Sequence, residues 1–169
     1  MIKKLLLVRH ASSDYAGLGV KDIDRVLNET GIQQAHAMAA YVKDKGICPD
    51  LLITSPSART RKTALFFVDS FGIGENKIKL VDDIYEAEPE TLLEIIRNVS
   101  NSIDTLMLVG HNPSIALLSS YLSDQIIDQV PTCGVVDLIF DIDDWASVSE
   151  GGGQLISLES PAQLLHNQA

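Results

Sequence analysis

The chain has 169 residues, 46% of them hydrophobic, and this suits one globular domain spanning residues 1–169 with a full-sized core. Lysine and arginine number 13 against 23 aspartate and glutamate, and the formal charge of −10 opposes binding to nucleic acid or to an anionic membrane. The apolar stretches are too short to span a bilayer and no signal-peptide pattern opens the chain, so we expect a cytoplasmic, monomeric protein. Cys48 and Cys133 are too few for a disulfide scaffold and are expected to be reduced thiols.

The first predicted element is a strand over residues 3–8, a short continuous apolar run of the kind that is buried on both faces of a parallel sheet. An irregular polar loop follows over residues 12–28. A helix is then predicted from Thr30 to about Lys45, and its apolar stripe consists of Ile32, Ala35, Ala39 and Val42. A second short strand is predicted over residues 50–54.

Serine or asparagine followed by proline marks the start of two further predicted helices. Ser55–Pro56 supplies a capping residue and then proline at the first helical position, which predicts a helix from Pro56 to about Ser70. Asn112–Pro113 repeats this pattern. The predicted elements over this part of the chain are completed by a strand over 77–81, a helix over 88–98, a strand over 104–109 and a helix from Pro113 to about Ser123.

The C-terminal third changes character, because two predicted strands follow each other without a long helix between them. They cover residues 134–140 and 154–158, and an acidic, glycine-rich turn joins them, which predicts an antiparallel hairpin at one side of the sheet. The tail after Pro161 is expected to fray. The whole pattern predicts an α/β fold, a three-layer sandwich with a mostly parallel central sheet, helices on both faces and an antiparallel C-terminal strand.

Arginine and histidine follow the predicted strands at the points where strands give way to helices. Arg9 and His10 end the first strand, Arg59 follows the second, and His111 follows the strand over 104–109. In parallel sheets, ligands bind in the crevice beyond the carboxyl ends of the strands. Guanidinium groups and helix N-termini stabilise a phosphoryl group there, and a histidine can attack its phosphorus. The sequence therefore predicts a phosphate site that can carry out phosphoryl transfer.

Taken singly, each of these residues has a structural explanation, and only their joint placement favours catalysis. Arg61 and Lys62, beside Arg59, are predicted to be surface residues. His36 flanks an apolar helix stripe and His166 lies in the tail, so we interpret both as structural.

At these residues the chain resembles the histidine phosphatase, or phosphoglycerate mutase-like, superfamily, and within it the small branch typified by the phosphohistidine phosphatase SixA. The matching stretches are residues 7–11, 24–31, 54–63, 84–87 and 108–113. The resemblance implies that His10 is the nucleophile phosphorylated during turnover and that Arg9, Arg59 and His111 complete the phosphate pocket. It implies neither a metal ion nor an organic cofactor.

The same resemblance bears on the substrate. Larger relatives bring a glutamate from an inserted segment as proton donor, and this chain is too short for that insert. Because phosphohistidine releases its leaving group with less acid assistance than a phosphate ester, we expect phosphohistidine in a protein as substrate. Glu86 is the one rival candidate for a proton donor; the other interpretation is a solvated carboxylate in an acidic run.

Two other functions stay open at this point. The first is a phosphomonoesterase acting on a small metabolite or a phosphopeptide, which would use the same pocket. The second is a binding module that recognises phosphate without turnover. A module that needs only affinity has no use for a nucleophile, so the complete set Arg9, His10, Arg59 and His111 favours an enzyme.

Overall fold

A six-stranded sheet forms the centre of the structure, a computed structural model that describes residues 1–15 and 17–167, with side chains as far as Leu164. The strands are β1 (Ile2–Arg9), β2 (Leu51–Thr54), β3 (Ile78–Leu80), β4 (Thr105–Gly110), β5 (Val135–Asp141) and β6 (Gln154–Glu159). The helices are α1 (Glu29–Asp44), α2 (Ala58–Phe71), α3 (Pro89–Arg97), α4 (Ser114–Ser123) and α5 (Pro161–Asn167).

The strand order is β3-β2-β4-β1-β5-β6, and the first four strands in this order are parallel. β5 runs antiparallel to β1 and pairs with β6 as a hairpin, as the sequence predicts. In the register of the parallel strands, Arg9 lies opposite Gly110 and Thr54 lies opposite Val109. The carboxyl ends of β1, β2 and β4 therefore meet at one edge of the sheet.

Alternate side chains of the central strands enter two separate cores, one on each face. In β1, Leu5 and Leu7 pack in the core beneath α3 and α4, whereas Leu6 and Val8 pack in the core beneath α1 and α2. All four side chains are completely buried. This confirms the three-layer α/β sandwich, because a strand covered by helices on both faces needs apolar side chains in both directions.

Three details of the helices differ from the prediction. Ile32 is 43% exposed, and the buried stripe of α1 uses Met38 instead. α2 begins two residues later than predicted, because Ser57 and not Ser55 caps it by accepting a hydrogen bond from the Thr60 N–H. Pro113 itself is the capping residue of α4, and the Asn112 side chain donates instead to the Val130 carbonyl at 2.8 Å.

The predicted loop and tail also carry structure. Within residues 12–28, of which Ala16 is outside the described part, Ser13 pairs with Leu27 and a 3₁₀ turn covers Asp22–Asp24. The predicted fraying of the tail is wrong for Pro161–Asn167, which form α5, and the last two residues lie outside the described part of the chain. His36 is exposed and meets the edge of the Phe66 ring, whereas the His166 side chain lies outside the described residues. Among the described helices, none is long and apolar enough to cross a membrane.

Candidate active site

Three strand ends bring the predicted arginines and histidines together. Arg9 ends β1 and His10 follows it, while His111 follows β4 directly. The His10 N–H donates to the Gly110 carbonyl at 3.1 Å, which joins the two strand ends. As a result the rings of His10 and His111 lie 5.5 Å apart, centroid to centroid.

His10 presents one ring nitrogen to the pocket in its unprotonated form. Its Nδ1 lies 2.7 Å from the carbonyl oxygen of Ala11. A carbonyl oxygen can only accept, so Nδ1 carries the proton and Nε2 of the neutral ring keeps its lone pair. Burial of the ring, together with the charges of Arg59 and Arg9, lowers the pKa of His10 to about 4. His10 is therefore neutral, and able to act as a nucleophile, at physiological pH.

Arg9 and Arg59 each hold one buried donor without a partner among the described residues. The Nη1 group of Arg9 donates to the Val130 carbonyl at 3.1 Å, and that of Arg59 donates to the Asp22 carbonyl at 2.8 Å. The Nε–H groups of both guanidinium groups are buried and unpaired. Because a buried charged donor is costly to leave unpaired, these two groups mark a place for an anion.

The N-terminal half of α2 fixes Arg59 beside the end of β1. Thr63 on this helix accepts a hydrogen bond from the Ala11 N–H at 3.0 Å, and the Ser57 cap closes the helix start. Arg59 is only 6% exposed, yet it stands at a helix N-terminus, where the helix dipole favours negative charge. This local structure adds to the preference of the pocket for an anion.

His111 lies across the pocket from His10 and is held by two neighbours. Its Nε2 shares a hydrogen bond with Ser55 Oγ at 2.9 Å, and its ring meets the ring of Tyr85 edge to face at 5.6 Å. Burial of the ring, as the main cause, and the nearby His10, as the second, lower the pKa of His111 to about 3. A bound phosphate would raise this pKa, since a nearby negative charge favours imidazolium.

Two further residues, which the sequence pattern does not single out, join the hydrogen-bond network of Arg59 in this pocket. Asp22 forms an ion pair with Arg59 at 3.1 Å, and the Tyr85 hydroxyl donates to the same carboxylate. Tyr85 lies inside a stretch that the resemblance had matched, so it could have been found there. The only local signal for Asp22 is its spacing of three residues from Arg25, with which it also pairs.

Glu86 follows Tyr85 and is exposed. Its backbone has a φ of 58°, in the left-handed region that costs a non-glycine residue about 1 kcal/mol or more. Such positions concentrate at functional sites, but Glu86 makes no side-chain hydrogen bond within the described part of the chain. Its role as a proton donor stays a prediction.

Comparisons with known proteins match this geometry to a family. A model of the histidine phosphatase superfamily (branch 1) matches residues 5–92. A chloroplastic protein of uncharacterised function from Arabidopsis thaliana is 31% identical over 173 residues, which cover 94% of this chain and 78% of that protein. The chain belongs to the histidine phosphatase superfamily. The resemblance seen in the sequence is thereby confirmed.

Solved structures place this histidine phosphatase near SixA. A candidate phosphohistidine phosphatase SixA from Agrobacterium tumefaciens is 31% identical, with a TM-score of 0.79 over 94% of this chain and 98% of that chain. The protein histidine phosphatase SixA complexed with tungstate has the same fold, with a TM-score of 0.82 at 16% identity over 95% and 99% of the two chains. Phosphoserine phosphatase from Entamoeba histolytica shares the fold at a TM-score of 0.67 and 20% identity, over 96% and 99%. Family and fold together support phosphatase activity.

Proposed function

We propose that this histidine phosphatase hydrolyses phosphohistidine in a protein, through a phosphorylated His10. The observation that carries the proposal is the neutral His10 ring, which keeps a lone pair on Nε2, lies 5.5 Å from the His111 ring and is close to two buried guanidinium groups that each have an unpaired Nε–H. The similarity to the SixA structure from Agrobacterium tumefaciens supports the choice of substrate class.

In the first step, the Nε2 lone pair of His10 attacks phosphorus. Solvent protonates the other nitrogen of the substrate ring beforehand. When the bond from phosphorus to this ring breaks, the electron pair stays on the leaving nitrogen and the ring departs as neutral imidazole. Arg9, Arg59 and His111 hold the three equatorial oxygens as their charge develops. Preorganised donors of this kind stabilise the transition state without having to reorient during the reaction.

In the second step, water attacks phospho-His10 on the side that the substrate has left. The P–N bond breaks, its electron pair returns to Nε2, and inorganic phosphate is released. The proton lost by water goes to the phosphate or to solvent. Because the Nδ1 proton stays on the Ala11 carbonyl, the ring returns to the tautomer that can attack again.

The state of Asp22 supports a phosphoramidate substrate over an ester. Hydrogen bonds, first from Tyr85 and then from Arg25 and Arg59, hold the pKa of Asp22 well below its ordinary value. The carboxyl group in contact with Arg59 is therefore ionised and has no proton to donate. An ester leaving group gains about a hundredfold or more from a general acid, whereas a phosphorylated imidazole needs less assistance.

The proposal is tested by comparing kcat/KM for a histidine-phosphorylated protein with kcat/KM for phosphoserine, glycerol 3-phosphate and p-nitrophenyl phosphate, all in the presence of EDTA. We expect phosphohistidine to be preferred by about a hundredfold, with no loss of activity to the chelator. A higher value for a monoester would make the protein a phosphomonoesterase, and Glu86→Gln would then be the variant to examine. Binding of phosphoprotein without turnover would make it a binding module.

A further inference from the structure

Asp22 places a fixed carboxylate at the mouth of the phosphate pocket. One carboxylate oxygen, Oδ2, accepts from Arg59 Nη2 at 3.1 Å and from the Tyr85 hydroxyl, and the other, Oδ1, accepts from Arg25 Nη1 at 2.9 Å. The backbone carbonyl of Asp22 binds Arg59 as well, at 2.8 Å. Arg59 and Tyr85 are both distant from Asp22 in the sequence, so the position of the carboxylate is set by the fold.

The carboxylate still faces solvent and has capacity for a ligand. The Asp22 side chain is 50% exposed, whereas the Arg59 side chain is 8% exposed. Two carboxylate oxygens offer about four acceptor positions, and the three donors named above fill three of them. One acceptor position on Oδ1 is therefore open, on a side chain that is half exposed to solvent.

The depth of the donors orients the substrate relative to Asp22. The unpaired Nε–H groups of Arg9 and Arg59 are buried, so a phosphoryl group bound to them lies below the protein surface. The remainder of the substrate must then extend towards the exposed end, past Asp22 and Tyr85. Attack by His10 in line with the departing group requires the same direction, away from His10 and towards solvent.

We infer that Asp22 is a specificity-determining residue, which selects substrates by the charge of the leaving group. A leaving group that carries a positive charge or an N–H donor is favoured beside this carboxylate, and an anionic one is repelled. If the proposed function holds, the favoured group is the protonated imidazole of phosphohistidine. Asp22 then accepts the N–H of the ring nitrogen that is not bonded to phosphorus, while the P–N electron pair stays on the departing nitrogen.

The test uses three small phosphate esters that differ in the charge of the alcohol: phosphoethanolamine (positive), glycerol 3-phosphate (neutral) and 3-phosphoglycerate (negative). Their dissociation constants, with inorganic phosphate as a probe of the pocket alone, are measured by calorimetry at pH 8 for the wild type, Asp22→Asn and Asp24→Asn. In Asp22→Asn the amide oxygen of the new side chain can still accept from Arg59 and Tyr85, whereas the NH2 group in place of Oδ1 gives up the hydrogen bond from Arg25. The change therefore removes the charge with little change of shape. Asp24 is exposed in the same 3₁₀ turn and serves as the matched control.

We expect the wild type to bind phosphoethanolamine about threefold to tenfold more tightly than 3-phosphoglycerate, as one partly exposed charge produces. In Asp22→Asn the ratio of the two dissociation constants should fall close to one, whereas Asp24→Asn should keep the wild-type ratio. Equal weakening of all four ligands in Asp22→Asn, with the ratio unchanged, would show that Asp22 only positions Arg59 and would overturn the inference. Equal binding of phosphoethanolamine and 3-phosphoglycerate by the wild type would overturn the inference too.

The outcome is independent of whether phosphohistidine is the substrate, because none of these ligands contains it. If phosphohistidine is not the preferred substrate but the wild type still binds phosphoethanolamine more tightly than 3-phosphoglycerate, only the proposed function is refuted. If Asp22→Asn still prefers phosphohistidine and the wild type binds phosphoethanolamine and 3-phosphoglycerate equally, only the inference about Asp22 is refuted.

Discussion

Burial has opposite effects on the two kinds of basic side chain in this pocket. It lowers the pKa of His10 to about 4 and so maintains a nucleophile, while a guanidinium group stays charged and its attraction for phosphate is strengthened by the loss of water. Arg59 is thus able to bind the anion at a pH where His10 has a free lone pair. Neither role would survive exchange of the two residue types.

Replacement of Arg59 by alanine should lower kcat/KM for the hydrolysed substrate roughly hundredfold, a loss of about 3 kcal/mol of transition-state stabilisation. Arg61→Ala is the matched control, because Arg61 is exposed on the same helix. Steady-state kinetics on both variants check this. A loss of less than about fivefold in Arg59→Ala would show that this guanidinium group does not hold the reacting phosphoryl group.

The sequence could indicate Arg9, His10, Arg59 and His111 because each one follows a strand end, and strand ends of a parallel sheet converge. Asp22 could not be found in this way. It lies in a loop without periodicity, and its position depends on Arg59 and Tyr85, which are distant in the sequence. Only tertiary contacts determine where such a loop residue lies.

At the level of helices and strands, apolar runs and periodicity were sufficient to locate every strand and most of each helix from α1 to α4. Helix starts were less well determined. Ser55 and Ser57 are both suitable capping residues, and the structure uses Ser57 as the cap while Ser55 binds His111. The helix α5 was missed because the periodicity of so short a segment is weak. It packs through Leu164 on the core beneath α1 and α2, a contact that the sequence does not reveal.

One helix–loop contact offers a test of how the mouth of the pocket is built. Gly31, in the first turn of α1, packs so closely on the loop that a Cβ atom there would overlap the Ser12 carbonyl oxygen. Gly31→Ala should therefore lower the free energy of unfolding by about 1–3 kcal/mol and displace the segment that carries Asp22. Urea denaturation measures the loss of stability. The displacement of Asp22 is measured by the ratio of the dissociation constants of 3-phosphoglycerate and phosphoethanolamine, which should fall.

Gly17→Ala is the control for this change. A Cβ atom at Gly17 would meet no heavy atom within 4 Å among the described residues, so the substitution should be neutral within about 0.5 kcal/mol. Equal stability of the two variants would mean that the contact between Gly31 and Ser12 does not constrain the loop.

For the complete chain, the three-layer sandwich followed from alternation of strands with helices, and the C-terminal hairpin from the change in that pattern. The strand order could not be predicted in the same way, because it depends on pairing between segments far apart in the sequence. β4 lies between β1 and β2 in the sheet, although both of these strands precede it in the chain and β2, β3 and three helices separate it from β1. It is this order that brings His111 next to His10.

The lowered histidine pKa values make the stability of the protein depend on pH. An unfolded histidine binds its proton at about pH 6.5, whereas folded His10 does so only near pH 4. Between these values the unfolded state binds more protons, so the free energy of unfolding falls as the pH is lowered. From pH 7 to pH 5, we expect His10 to account for a loss of about 1–2 kcal/mol.

Urea denaturation of the wild type and His10→Ala at both pH values measures this loss. The variant should lose less stability on acidification, by the amount that His10 contributes. An identical loss in the two proteins would mean that His10 is not held neutral by the fold.

Inorganic phosphate should raise the melting temperature of the wild type, since it binds only the folded state.

Direct detection of the phosphorylated intermediate tests the mechanism most simply. The enzyme is mixed with substrate, quenched in alkali to preserve phosphohistidine, and digested for mass spectrometry, with His10→Ala treated in parallel. We expect phosphate on His10 in the wild type and neither intermediate nor hydrolysis in the variant, which should keep its fold because His10 lies at a strand end. Phosphate on His111 instead, or full hydrolysis by His10→Ala, would contradict it.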